Sequence, residues 1–257
     1  MIITFLGTGP AGRIPRPDCK WPVCKEAAKP RSKSARLQTS AFLEFPSLNV
    51  LIDTTQDFEK QSRLIGGKKI DFVFITHGHS DAVGGLLSFS KNYKRFGRPV
   101  VFAEEKTFEA AGKQIFLSGL NLKFLKPLQN YDFGDFTLIP FRVVHSFNPR
   151  FPALGFLFKI GNKKIAYASD FKKIPAESAK LIKNADLAIL DGAAYEKPIP
   201  THANFADILT LDEKSGFKKI YLTQIGIAWP PYEQAQKIVS AKAKNIFLAY
   251  DGLKIEF

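Results

Sequence analysis

The sequence predicts an α/β fold in which two mixed β-sheets pack face to face and helices cover their outer sides. Three observations lead there. Short apolar runs of β type recur from one end of the chain to the other, with turn residues between them. Amphipathic stretches of helical length fall between those runs in both halves of the chain. Apolar strands of this kind must be buried on both sides, which stacked sheets flanked by helices achieve.

The strand-like runs are 2–6, 41–45, 49–52, 71–75, 100–103, 136–141, 154–160 and 164–168, followed by 187–190, 220–223, 246–249 and 253–257. The helical spacings cover 56–65, 82–90, 104–117, 175–183, 205–214 and 232–240. The segment 10–40 reads as irregular, and a structureless run of that length in a compact domain is expected to be functional. With 257 residues, 45% of them hydrophobic, the chain has material for one full core, so residues 1–257 are expected to form a single domain.

No apolar run approaches the roughly 20 residues that cross a bilayer. Met1 to Leu6 meets Gly7-Thr8-Gly9 at once, with neither a basic leader nor a small-residue cleavage site. The expectation is a cytoplasmic protein without membrane association. Two cysteines, Cys19 and Cys24, are too few to staple such a chain. The net charge of +13 is partly local. Arg13, Arg16, Lys20, Lys25, Lys29, Arg31, Lys33 and Arg36 meet only Asp18 and Glu26, while Lys91, Lys94, Arg95 and Arg98 form a second cluster. Such a balance favours phosphate-bearing partners, although lysine-rich surfaces also serve solubility.

The chemistry concentrates in Phe72-Val73-Phe74-Ile75-Thr76-His77-Gly78-His79-Ser80-Asp81. Extended backbone beyond an apolar strand turns His77 and His79 to one side, because side chains alternate. Two imidazoles so placed suit zinc or a similar ion. Asp81 follows at the same spacing, where a helix start also favours a carboxylate. His145 ends the run Phe141-Arg142-Val143-Val144, and Asp170 ends Ile165-Ala166-Tyr167-Ala168-Ser169. Taken alone, each of these also fits a turn residue or a helix cap.

Together these motifs resemble the metallo-β-lactamase superfamily, whose pattern is His-x-His-x-Asp-His, then a lone His, a lone Asp and a final His, each closing a strand. The resemblance covers nearly the whole chain, from Gly7-Thr8-Gly9 through Leu51-Ile52-Asp53 to Ile220-Tyr221-Leu222-Thr223. It implies a four-layer αββα sandwich and a metal held by His77, His79, His145 and Asp170, with Asp81 as a further ligand. It also implies that Asp53 orients the first histidine motif from behind, as carboxylates do for ligating imidazoles. Ala82 and Gln224 stand where the family has two second-site histidines. One tightly held Zn²⁺ is therefore expected, with Mn²⁺ or Fe²⁺ as alternatives.

Within the superfamily the chain is similar to the small phosphodiesterases that act on phosphoribosyl cyclic phosphate. The similarity rests on the Gly-Thr-Gly start, the Cys-bearing loop, and Asp186-Leu187-Ala188-Ile189-Leu190-Asp191 followed by Thr201-His202-Ala203-Asn204. In that branch a histidine at the last motif contacts the scissile phosphate, which implies the same for His202. The branch also has a structural zinc held by three cysteines and a histidine. Trp21 and Ile227 occupy two of those positions here, so Cys19 and Cys24 are expected to be free.

The expected activity is hydrolysis of a small phosphorylated substrate, such as a cyclic phosphate, by a metal-bound hydroxide. Asp81 would orient the water and His202 would serve the leaving side. The same fold also hosts thioester and lactone hydrolases, mononuclear iron oxygenases and catalytically weakened binding proteins. Nucleic acid is the lesser alternative as a partner, since no Gly/Pro-rich arm for gripping tRNA is visible. Relatives implied by the resemblance are often homodimers.

Overall fold

The computed structural model describes residues 1–112, 119–146, 148 and 151–257. One sheet takes β1 (Ile2–Gly7), β2 (Ser40–Glu44), β3 (Asn49–Ile52), β4 (Phe72–Phe74), β5 (Val100–Ala103), β6 (Asn121–Phe124) and the late strand β14 (Lys254–Glu256). They lie in the order β14-β1-β2-β3-β4-β5-β6. The other sheet is built from β7 (Tyr131–Asp132), β8 (Thr137–Val143), β9 (Ala153–Ile160), β10 (Lys163–Ala168), β11 (Leu187–Asp191), β12 (Ile220–Thr223) and β13 (Ile246–Leu248). Its order is β13-β12-β11-β10-β9-β8-β7.

Parallel neighbours need crossovers, and helices supply several of them. Helix α2 (Phe58–Ile65) leads from β3 to its parallel partner β4. Helices α7 (Ala176–Ile182), α8 (Phe205–Ser215) and α9 (Tyr232–Lys242) join β10 to β11, β11 to β12 and β12 to β13, all parallel pairs. Helix α8 starts from a capping box in which Asn204 and Asp207 satisfy each other's backbone N–H.

Alternation within the strands decides which layer each side chain joins. In β4, Phe74 packs into the layer between the sheets while Val73 packs under the outer helices. In β10, Ile165 and Tyr167 face the other sheet, and the small Ala166 and Ala168 leave room for the helices on the far side. The middle layer is rich in phenylalanine, with the Phe74 ring 5.4 Å from that of Phe102 and 5.7 Å from that of Phe156. Two apolar layers outside the sheets complete the αββα sandwich that the sequence predicts.

Several elements differ from expectation. The helix expected over 82–90 is two pieces, α3 (Ser80–Val83) and α4 (Leu86–Lys91), split at Gly84-Gly85. Gly85 donates its N–H to the Thr54 carbonyl at 2.8 Å, and a Cβ there would stand 2.0 Å from the Thr55 carbonyl oxygen. Gly85→Ala should therefore destabilise the protein by about 1–3 kcal/mol through overpacking. An unchanged melting temperature would contradict that close approach.

Helix α6 (Glu105–Ala111) covers the start of the helix expected over 104–117, whose end lies outside the described residues. Helices α1 (Pro22–Ala27) and α5 (Tyr93–Phe96) and strands β6 and β7 were not expected. Strand β6 is a sheet edge with Asn121, Lys123 and Phe124 exposed, so it has no apolar run to reveal it.

The cysteines are a correction. Cys19 and Cys24 are not free but joined in a disulfide, with Cα atoms 6.0 Å apart. Helix α1 turns Cys24 inward beside Ile14, Val23 and Ala27, and Cys19 and Ile227 pack against the same cluster. Among the described residues no helix is long and apolar enough to cross a membrane.

Candidate metal centre

The predicted residues converge where the two sheets meet. Strand β8 runs in the same direction as β10, since both pair antiparallel with β9. The ends of β8, β10, β11 and β12 therefore open on one edge, the usual place for a site in such sheets. The segment after β4 reaches the same edge from the other sheet. His77 and His79 leave it there, His79 as the extended residue before α3.

The rings of His77, His79 and His145 form a triangle with centroids 4.8, 5.0 and 5.1 Å apart. Their ligand atoms all lie within 4.8 Å of one another, as do those of His77, Asp81 and Asp170. A third overlapping group is His145, Asp170 and His202.

Partners behind the rings fix which nitrogens face inward. The Thr76 hydroxyl donates to Asp53 Oδ2 at 2.9 Å, so its oxygen is left to accept from His77 Nδ1 at 2.8 Å. His77 Nε2 is then a bare acceptor, buried and without a hydrogen-bond partner. His145 Nδ1 lies 3.1 Å from the Thr201 carbonyl, which it can satisfy only as N–H. Its Nε2 faces His79 Nδ1 at 3.2 Å. Converging ring nitrogens, one of them orphaned, are what a cation would satisfy, and two carboxylates stand beside them. The donor set fits a divalent ion.

The electrostatics separate two kinds of histidine. Burial drives His77 down to about 3, with His145 and His79 adding to the fall against the pull of Asp170. His79 is lowered in the same way by burial and by His145. Both are neutral at physiological pH, as ligands must be. Burial also opposes charge on His202, but Asp191 overcomes it and lifts His202 to about 9. Asp191 Oδ2 accepts from His202 Nδ1 at 2.7 Å, while its two oxygens also accept the N–H groups of Phe171 and Ala193, each at 2.8 Å. Asp191 thus favours the charged form of His202, whereas burial favours the neutral forms of His77 and His79.

The carboxylates differ as well. Burial works against ionisation of Asp170, yet the surrounding His77, His145 and His202 hold it below the usual range. Burial and repulsion from Asp170 raise Asp81 to about 6. Asp53 is pushed well above the ordinary value by burial, against the Thr76 donors. Asp53 reaches the histidine motif only through Thr76, whose N–H it also accepts at 2.8 Å.

Gln224 does more than leave a position empty of histidine. Its Nε2 donates to Asp170 Oδ1 at 2.5 Å, and it also hydrogen-bonds Asp81. The backbone turns back at φ 58° to allow this, anchored by the Gln224 N–H on Thr39 Oγ1 at 3.1 Å. Ala82 lies buried in the helix-side core. The cavity over the centre holds about 620 Å³ and is lined by Arg16, His79, Asp81, His145, His202 and Gln224 among others. Thr76 and Asp191 were not singled out from sequence. Asp191 ends its strand as Asp170 does, and that parallel was the available signal.

Residues 48–224 match the beta-lactamase superfamily domain. The chain belongs to the beta-lactamase superfamily. Its PhnP-like character appears in a solved diphosphatase of the PhnP family, which is 29% identical with a TM-score of 0.87, covering 100% of this chain and 97% of that one. An octanoyltransferase of Porphyromonas gingivalis is 26% identical over 265 residues, 99% of this chain but 51% of that protein. The chain thus spans about half the length of this relative. The Zn²⁺-bound PqqB of Methylobacterium extorquens shares the fold, with a TM-score of 0.81 at 16% identity and full coverage of both chains.

Proposed function

We propose that this chain is a one-metal phosphodiesterase acting on a small phosphorylated substrate. The observation that carries the reading is the convergence of three imidazoles and two carboxylates around one cavity, with His202 held against Asp191 at its wall. His77, His79, His145 and Asp170 would hold the ion, with Asp81 beside them. When bound, a divalent ion supplies Lewis acidity and an acidified water. His202, fixed by Asp191, places an N–H toward the cavity, where it stabilises added negative charge and hands a proton to the leaving oxygen. Asp81 accepts a proton from water or orients it. Arg16 at the cavity wall adds a second positive charge for a phosphate.

The amide of Gln224 argues for one ion. Its Nε2 donates to Asp170 beside Asp81 and so offsets charge that a second cation would otherwise neutralise. The protein should retain about one equivalent of Zn²⁺, Mn²⁺ or Fe²⁺ after dialysis, and joint Ala82→His and Gln224→His substitution should raise this toward two. Two equivalents retained by the unaltered protein would overturn the one-metal reading.

A second reading, hydrolysis of an acyl ester or thioester, is favoured by the octanoyltransferase relative. The deciding assay offers a nitrophenyl phosphodiester and an octanoyl thioester to protein loaded with each ion. Turnover of the thioester alone would replace the first reading with the second.

A further inference from the structure

A second cleft, about 620 Å³ in volume, shares the loop over residues 11–16 with the metal centre. Gly12 and Arg16 line the metal-centre cavity, whereas Arg13, Ile14 and Pro15 line this one, so the loop is a common wall. The cleft's charge is one-sided. Arg31, Lys33 and Arg36 reach it from one segment and Lys60 from α2. Arg13 is neutralised by Asp57 at 2.7 Å, and Lys33 rests 5.0 and 4.9 Å from the ring centres of Tyr232 and Tyr250. Arg31 and Lys60 are exposed and have no carboxylate partner among the described residues. Asp251, the one carboxylate lining the cleft, already accepts from the Thr8 hydroxyl at 2.7 Å and the Leu37 N–H at 2.6 Å.

Arg36 decides the matter. Its side chain is buried, with the residue only 3% exposed, and Nη1 donates to Thr8 Oγ1 and the Ala249 carbonyl, both at 2.6 Å. Its Nε–H is buried and has no partner. A buried guanidinium is costly unless its charge and donors are met, and here two neutral oxygens meet only part of it. Burial lowers it to about 10 even with Asp251 nearby. An unused buried donor beside free cations is a site built for an anion of more than one charge. A guanidinium matches the oxygens of phosphate, and the volume suits a small molecule.

We propose that this cleft binds a phosphate-bearing small molecule through Arg36, Arg31 and Lys60. This site does not depend on what the metal centre hydrolyses.

Calorimetric titration of the chelator-treated full chain with pyrophosphate tests the assignment. One equivalent should bind, joint Arg31→Ala and Lys60→Ala substitution should weaken it at least tenfold, and His202→Ala should leave it unchanged. Both substituted side chains are exposed, and the thermal melt should stay that of the unaltered protein. Absence of binding, equal binding by the double variant, or loss on His202→Ala would each overturn the proposal. So would citrate binding as tightly as pyrophosphate.

Discussion

His77→Ala should empty the metal centre and reduce hydrolysis by at least about a thousandfold, the equivalent of roughly 4 kcal/mol of Lewis-acid stabilisation lost from the transition state. The reason lies in its Nε2, which is buried and bare because Thr76 occupies the other ring nitrogen. Metal analysis of the purified variant should find well under one equivalent, while its circular dichroism should remain that of a folded α/β protein. Thr76→Val gives the graded companion. It removes the relay to Asp53 but keeps the ring, and loss of such an outer partner costs about 10–100-fold in metal affinity. Full activity and full metal content in His77→Ala would remove metal catalysis from consideration.

His202→Ala should lower kcat by about 100-fold or more without lowering metal content, in line with the loss of a positioned acid. Asp191→Asn should move kcat in the same direction, since the carboxylate is what makes His202 a cation. The two variants separate charge from architecture. His202→Ala leaves the Asp191 bonds to the Phe171 and Ala193 N–H groups in place, whereas Asp191→Asn keeps one acceptor and disturbs the other. Unaltered kcat in His202→Ala would remove it from the chemistry. A matching fall in bound metal would make His202 a ligand instead of a proton donor.

How much of this was written in the sequence depends on the kind of interaction. Strands such as β4 and β10 are legible because burial on both sides forces a continuous apolar run. The histidine-bearing turns are legible because histidine is rare in this chain, with only four residues, all of which reach the site. The split at Gly85 was hidden, since it arises from contact with Thr55, a residue thirty positions away in the chain. The disulfide was hidden for a related reason: helix α1 is too short to be read by periodicity, yet it alone brings Cys24 round to Cys19. Gln224 was visible as a departure from the family pattern. That its amide would hold Asp170 was not, because a positive φ in the turn after β12 directs the side chain there.

The candidate metal centre straddles the seam of the sandwich, with His77 and His79 arriving from one sheet and His145 and Asp170 from the other. An occupant therefore clasps two layers that hydrogen bonds such as the Leu154 N–H on the Thr76 carbonyl, at 2.9 Å, already link at that edge. Because those groups assemble only in the native state, occupancy feeds directly into resistance to unfolding, by about 4 kcal/mol when the free ion stands a thousandfold above its dissociation constant. The melting curve thereby becomes a gauge of which ion the protein prefers, readable before any substrate is known.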